Sequence, residues 1–147
     1  MNPITPSNLD KLPPGPRLRL TVEVLWTYTR VRWVMRDADA ERAVGRLRSD
    51  TRGTPKIPAS EHQQDLELLA AWRLAHATGR VLEILPSDSR CLFRSLTLMC
   101  MLERRGIAQT LVVAVRPQPF GAHAWVEVSS RPVLPEADPG YERLLEL

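Results

Sequence analysis

The chain reads as an α+β domain: helices first, then one helix that carries a cysteine, then antiparallel strands. Three observations predict this. Apolar residues recur at three- and four-residue intervals as far as Leu102, alternation by twos takes over after Gln109, and the "SSR" at 129–131 can turn one alternating run back on the next. A sheet packed against one central helix accommodates that order, and 147 residues suit one compact domain.

Residues 1–16 are polar and proline-rich and read as an irregular leader. Residues 17–36 fit two periods. Leu18, Leu20, Val22 and Val24 alternate like a strand, while Leu18, Val22, Leu25 and Trp26 fit a helix, and the length of the run favours the helix. Asp37 to Ser49 reads as a shorter helix with Ala43, Val44 and Leu47 apolar, followed by a loop. Ser60 with Gln63 has capping-box spacing. It opens a helix whose apolar side is marked by Leu66, Leu69, Leu74 and Ala75 and which runs to about Leu85 before Pro86 breaks it. The best-defined element comes next. Ser87, Asp88 and Ser89 offer N-cap oxygens. Leu92, Leu96, Met99 and Leu102 recur at helical spacing. Arg104 and Arg105 suit the last turn, and Gly106 suits the exit. "QTLVVAV" is a buried strand, "HAWVEV" alternates, "PVL" completes a hairpin, and the end forms a short strand or helix. The four tryptophans are expected in the core. A division into a helical region 1–58 and a core 59–147 follows.

Charge is uneven along this division. Residues 1–58 hold eleven Lys and Arg against six Asp and Glu, and residues 59–147 hold nine against eleven. A basic front half suits an acidic partner, but without a long basic run nucleic acid is not expected as the ligand. There is no secretory signal, and the most apolar run is interrupted by Glu23, Arg30 and Arg32, so a cytoplasmic protein is expected. Cys91 and Cys100 are nine positions apart. On one helix that is roughly 13 Å of rise, beyond the ~7 Å that a disulfide spans, so both thiols are expected free. No CxxC or HxxxH spacing points to zinc, and no metal or other cofactor is expected.

Chemistry concentrates at Cys91 and His123. A thiol in the first turn of a helix meets free N–H groups that favour its thiolate, and an imidazole at the start of a facing strand supplies a base. An imidazole needs an orienting partner. Glu127 lies four strand residues on, roughly 13 Å away, which is too far, whereas Glu136 and Asp138 follow the turn and come back beside His123. The N–H of Cys91 can donate to the oxyanion of an acyl-transfer intermediate. Read from the residues alone, Cys91 is equally a small buried hydrophobe and His123 a satisfied core histidine. The chain would then be a helical adaptor or binding module. An acyltransferase using the same groups is a third reading.

The segment from Arg80 to Glu136 carries "CLFRS" at the head of the central helix, "RRGI" at its exit and "AHAWVE" on the strand. It closely resembles the leader peptidases of bacterial lasso-peptide biosynthesis, which are transglutaminase-like cysteine proteases. The resemblance implies a papain-like core with N-terminal helices, with Cys91 as nucleophile and His123 as base. It also implies hydrolysis of a ribosomally made precursor peptide between leader and core. The family pattern puts an aspartate about twelve residues past the histidine as the triad acid. That position here is Pro135, so Glu136 is the implied acid, displaced by one residue, with Asp138 as the alternative. Some members carry a winged-helix-like leader-binding domain in front of the protease. The residues before Ser60 read as helices instead, so the resemblance implies a separate leader-binding protein, and with it the lasso cyclase, as partners.

Overall fold

The computed structural model describes residues 14–50, 60–85, 90–135 and 137–147. Among these residues four helices precede four strands: α1 (Pro14–Val34), α2 (Ala40–Asp50), α3 (Glu61–Leu82), α4 (Arg90–Glu103), β1 (Thr110–Pro117), β2 (Phe120–Val128), β3 (Arg131–Pro132) and β4 (Glu142–Glu146). The strands form one antiparallel sheet in the order β3-β2-β1-β4. The α+β arrangement expected from the sequence is the one observed, and no described helix is long and apolar enough to cross a membrane.

Helix α4 is the centre of the molecule. Leu96, Leu98, Met99, Met101 and Leu102 are all fully buried although they point in every direction round the helix axis. A helix that is apolar all round needs cover on every side. Here α1 and α3 lie against it on one side and β2 on another. Each such side chain contributes roughly 1.5–3 kcal/mol of burial. The exit follows the expected chemistry. Gly106 adopts φ 69°, a left-handed conformation that costs glycine least, and the N–H of Ile107 reaches back to the carbonyl of Leu102 (3.1 Å).

The helix reading of residues 17–36 holds, but the face expected to be apolar is not the one that is buried. Val24, Thr27, Tyr28 and Val31 form the inward stripe, while Leu18, Val22, Leu25, Trp26 and Trp33 form an exposed one on the other side. Helix α1 is therefore apolar on two faces, and periodicity alone does not say which is covered. In α3 the expected Leu74 and Ala75 are buried, and the correction concerns Leu66. Ser60 caps this helix as expected, accepting from the N–H of Gln63 (3.3 Å); its buried stripe is Ala71, Leu74, Ala75, Thr78 and Leu82, and Leu66 is exposed. The tryptophans are not all core. Trp26, Trp33 and Trp72 are more than half exposed, and only Trp125 is buried. The expected caps Ser87, Asp88 and Ser89 lie outside the described residues.

Between β2 and β3, Ser129 and Ser130 both take positive φ (50° and 59°), the backbone of a two-residue turn whose twist matches its strands. The C-terminal segment is a strand, and it pairs with β1, not with β2.

Arg105, just past α4, donates two hydrogen bonds to the Glu23 carboxylate on α1 (2.8 and 2.9 Å). This pairing holds the Glu23 carboxyl below its ordinary range, against the opposing effect of burial. A lowered folded-state pKa means stability that is present above the ordinary carboxylate range and lost as pH falls through the lowered value. Glu23→Gln is expected to lower the melting temperature by about 2–4 °C near neutral pH. The gap to the parent should close as pH is lowered, which thermal melts across a pH series would record.

Candidate active site

Cys91 is the second residue of α4 and is half-buried. Its N–H is among the first four of the helix, which have no partner inside the helix. One turn further on, on the same face, Ser95 is fully buried, and its hydroxyl donates to the carbonyl of Ala124 on β2 (3.0 Å). His123 is the residue before Ala124. A single buried hydrogen bond thus ties the cysteine-bearing turn of the helix to the part of the strand that carries the histidine.

The strand register explains why Ala124 has a carbonyl to offer. Val126 accepts from the N–H of Val133 (2.9 Å), so the even-numbered backbone groups of this stretch of β2 point toward β3. Continuing the register would set Pro135 opposite Ala124, and a proline has no N–H to donate. The ladder ends there. Ser95 satisfies the carbonyl left over.

The imidazole of His123 has a defined setting. Its Nε2 lies 2.9 Å from the carbonyl oxygen of Pro135. The ring of Trp125 stacks on it (centroids 6.0 Å apart, 27° between planes), and Tyr141 meets it edge-on at 6.5 Å. Trp125 is itself clamped. Its indole N–H donates to Glu127 (2.9 Å), Arg143 donates to the same carboxylate oxygen (2.7 Å), and the Arg143 guanidinium lies 5.5 Å from the indole ring centre. Tyr141 is close enough that a Cβ on Gly121 would overlap its hydroxyl.

Of the expected site residues, Cys91 and His123 sit on elements joined by the Ser95 bond. Glu136 lies outside the described residues. The Asp138 carboxylate makes no hydrogen bond or ion pair with a described residue, while its main-chain carbonyl accepts from Tyr141 (3.4 Å). Glu127, set aside on distance, is occupied by Trp125 and Arg143. Ser95, Trp125, Tyr141 and Arg143 were not singled out from the sequence. Ser95 had a usable signal, its four-residue spacing from Cys91, and Trp125 another, its place two residues past His123 on the same face of the strand. A cavity of about 320 Å³ opens elsewhere, between α1, α3 and α4. Its walls include Tyr28, His76, Phe93 and Arg94 but neither Cys91 nor His123, so its size says nothing about the chemistry.

Cys100, on the same helix, is a different kind of thiol. It is buried, and burial, with the neighbouring Glu103 carboxylate adding to it, pushes its pKa up to about 12. It stays protonated at neutral pH and is inert as a nucleophile.

A family profile described as the transglutaminase-like superfamily aligns with residues 18–146, from α1 to β4. No curated protein and no solved structure matches the chain.

The two thiols are expected to separate cleanly under alkylation. Iodoacetamide near neutral pH should label Cys91 and leave Cys100 unmodified in the folded protein. Peptide mapping by mass spectrometry reads the result, and equal labelling at both positions would contradict the environment described for Cys100.

Proposed function

The chain belongs to the transglutaminase-like superfamily, whose members are typically cysteine-dependent enzymes and include peptidases and acyltransferases; within it, we propose a cytoplasmic cysteine peptidase that removes the leader from a ribosomally made lasso-peptide precursor. The observation that carries this reading is the buried Ser95–Ala124 bond, which holds the first turn of α4, with Cys91, against the strand that bears His123. The "CLFRS", "RRGI" and "AHAWVE" elements, through their resemblance to lasso-peptide leader peptidases, support this choice of substrate.

In this mechanism His123 takes the proton of the Cys91 thiol, and the thiolate attacks the scissile carbonyl carbon. The negative charge moves to the carbonyl oxygen, for which the N–H groups of the first turn of α4 are the proposed donors. His123 returns its proton to the leaving amine, and the C–N bond breaks to leave a thioester on Cys91. Water, deprotonated by His123, then hydrolyses the thioester. The family pattern supplies an acid beside the imidazole, for which this chain has Glu136 and, second, Asp138.

A long flexible leader loses much conformational entropy on binding and needs an extended surface to offset that cost. We assign the grip to a separate leader-binding protein, which works alongside the cyclase and docks on the 1–58 region. Helix α1 supports the assignment through its outward stripe, where Trp26 is 68% and Trp33 70% exposed, with Arg19 and Arg32 also on exposed positions. Aromatic and arginine side chains are frequent anchors of protein interfaces.

Incubation with the precursor peptide, read by mass spectrometry, tests the reaction. Leader and core should appear as hydrolysis products. Cys91→Ala should abolish cleavage while keeping the fold, and His123→Ala should lower turnover by about three to four orders of magnitude. Transfer of the acyl group to an amine, with no free carboxylate product, would assign the chain to the acyltransferases instead. Adding the leader-binding protein should raise cleavage at low precursor concentration, and Trp26→Ser with Trp33→Ser should remove that gain without changing the basal rate. Equal rates with and without the partner would refute the docking role.

A further inference from the structure

We propose that the cavity between α1, α3 and α4 is a binding site for an organic carboxylate with a small apolar body, held by Arg94 and Tyr28. The site is separate from Cys91 and His123, neither of which lines it, and the proposal does not depend on the peptidase reading.

Two polar groups on the cavity wall lack partners. The Tyr28 hydroxyl belongs to a residue only 6% exposed, and no hydrogen bond reaches it. The Nε of Arg94 is buried and equally unpartnered. The guanidinium makes a single hydrogen bond, a long one from Nη2 to the carbonyl of Ala75 (3.4 Å), and forms no ion pair with a described residue. Burial works against its charged form, and Glu83 opposes that effect without pairing to it. A half-buried charge and a buried hydroxyl left unpaired are costly. A carboxylate entering the cavity supplies the acceptors that both donors lack, and it matches the fork of a guanidinium. Both donor atoms are buried, so the two side chains turn toward the ligand on binding, a rotamer change common at binding surfaces.

Charge and shape define the ligand further. Among the other charged lining side chains, Arg80 and Glu83 are exposed and offset each other, so Arg94 leaves the wall with a net positive charge. The rest of the wall is largely apolar. The rings of Tyr28 and Phe93 meet edge-on (centroids 6.0 Å apart, 65° between planes), and Leu82 and Leu85 adjoin them. An inorganic anion gains nothing from those surfaces, whereas a carboxylate on an apolar body uses both parts of the site. Gly79 makes room for the arrangement, because a Cβ there would overlap the Arg94 guanidinium.

Phenylacetate and its uncharged counterpart phenylacetamide, titrated into the full-length protein by calorimetry with thermal melts alongside, test the site. Phenylacetate is expected to bind and to raise the melting temperature as it saturates, and phenylacetamide to bind at least about tenfold more weakly. Arg94→Met should abolish binding yet keep or raise the melting temperature without ligand, because it removes an unpaired half-buried charge. Tyr28→Phe should weaken binding about fivefold. Gly79→Ala, which gains helix propensity and displaces the guanidinium, should stay folded and bind more weakly. The carboxylate can belong to a free small molecule or to an acidic peptide side chain. Displacement of phenylacetate by a capped phenylalanine–glutamate dipeptide, and not by its glutamine analogue, would assign the site to a peptide, and no displacement would assign it to a free carboxylate. Absence of phenylacetate binding, or equal binding of the amide, would overturn the proposal. So would a melting temperature lowered by Arg94→Met together with unchanged binding in Tyr28→Phe and Gly79→Ala, which would make Arg94 a purely structural residue.

Discussion

The position of helix α4 on the sheet depends on where one proline falls. Pro135 comes opposite Ala124 in the hairpin register and cannot continue the ladder. The carbonyl of Ala124 is thereby left for the hydroxyl of Ser95, and that bond is fully buried. A buried carbonyl without a donor costs roughly 1–3 kcal/mol, so helix and strand are held in one relative position and not merely in contact. The apolar residues of α4 would tolerate a small slide along the sheet, because hydrophobic burial is not directional. The hydrogen bond would not. The one-turn offset between Ser95 and Cys91 then converts a packing constraint into the placement of the Cys91 thiol.

Much of this was legible in the sequence. The spacing of Leu96, Met99 and Leu102, the glycine at 106 and the serines at 129 and 130 each express a local rule, and local rules survive folding. What was not legible is which of two plausible faces an element buries. Helix α1 presents an apolar stripe through Val24, Tyr28 and Val31 and another through Leu18, Val22 and Trp26, and only tertiary packing chooses between them. Trp33 and Trp72 were misread for the same reason: bulk predicts a preference for burial, not its occurrence. The hydrogen bond seen at His123 was illegible for a different reason. Its partner is the main-chain oxygen of Pro135, and every residue has such an oxygen.

Two cysteines on one helix show how little residue type decides by itself. Cys100 is wrapped in core, and its thiol is held in the neutral form by the cost of burying charge. Cys91, nine residues earlier, is half-buried in the first turn, whose N–H groups have no partner within the helix. Two glycines are likewise defined by what surrounds them. Gly121, beside His123, is small because the Tyr141 hydroxyl occupies the space a side chain would take, and Gly79, on the wall of the separate cavity, is small because the Arg94 guanidinium does.

The two faces of α1 do different work. A substitution at Val24, Tyr28 or Val31 disturbs the packing of α4 and so reaches Cys91. A substitution at Leu18, Val22 or Trp33 alters only what the outside of the molecule presents. The outward face is free to drift, to be recruited or to be exchanged between relatives while the chemistry stays as it is. In this fold, what the molecule presents to its surroundings and what holds Cys91 in place lie on separate sides of one helix.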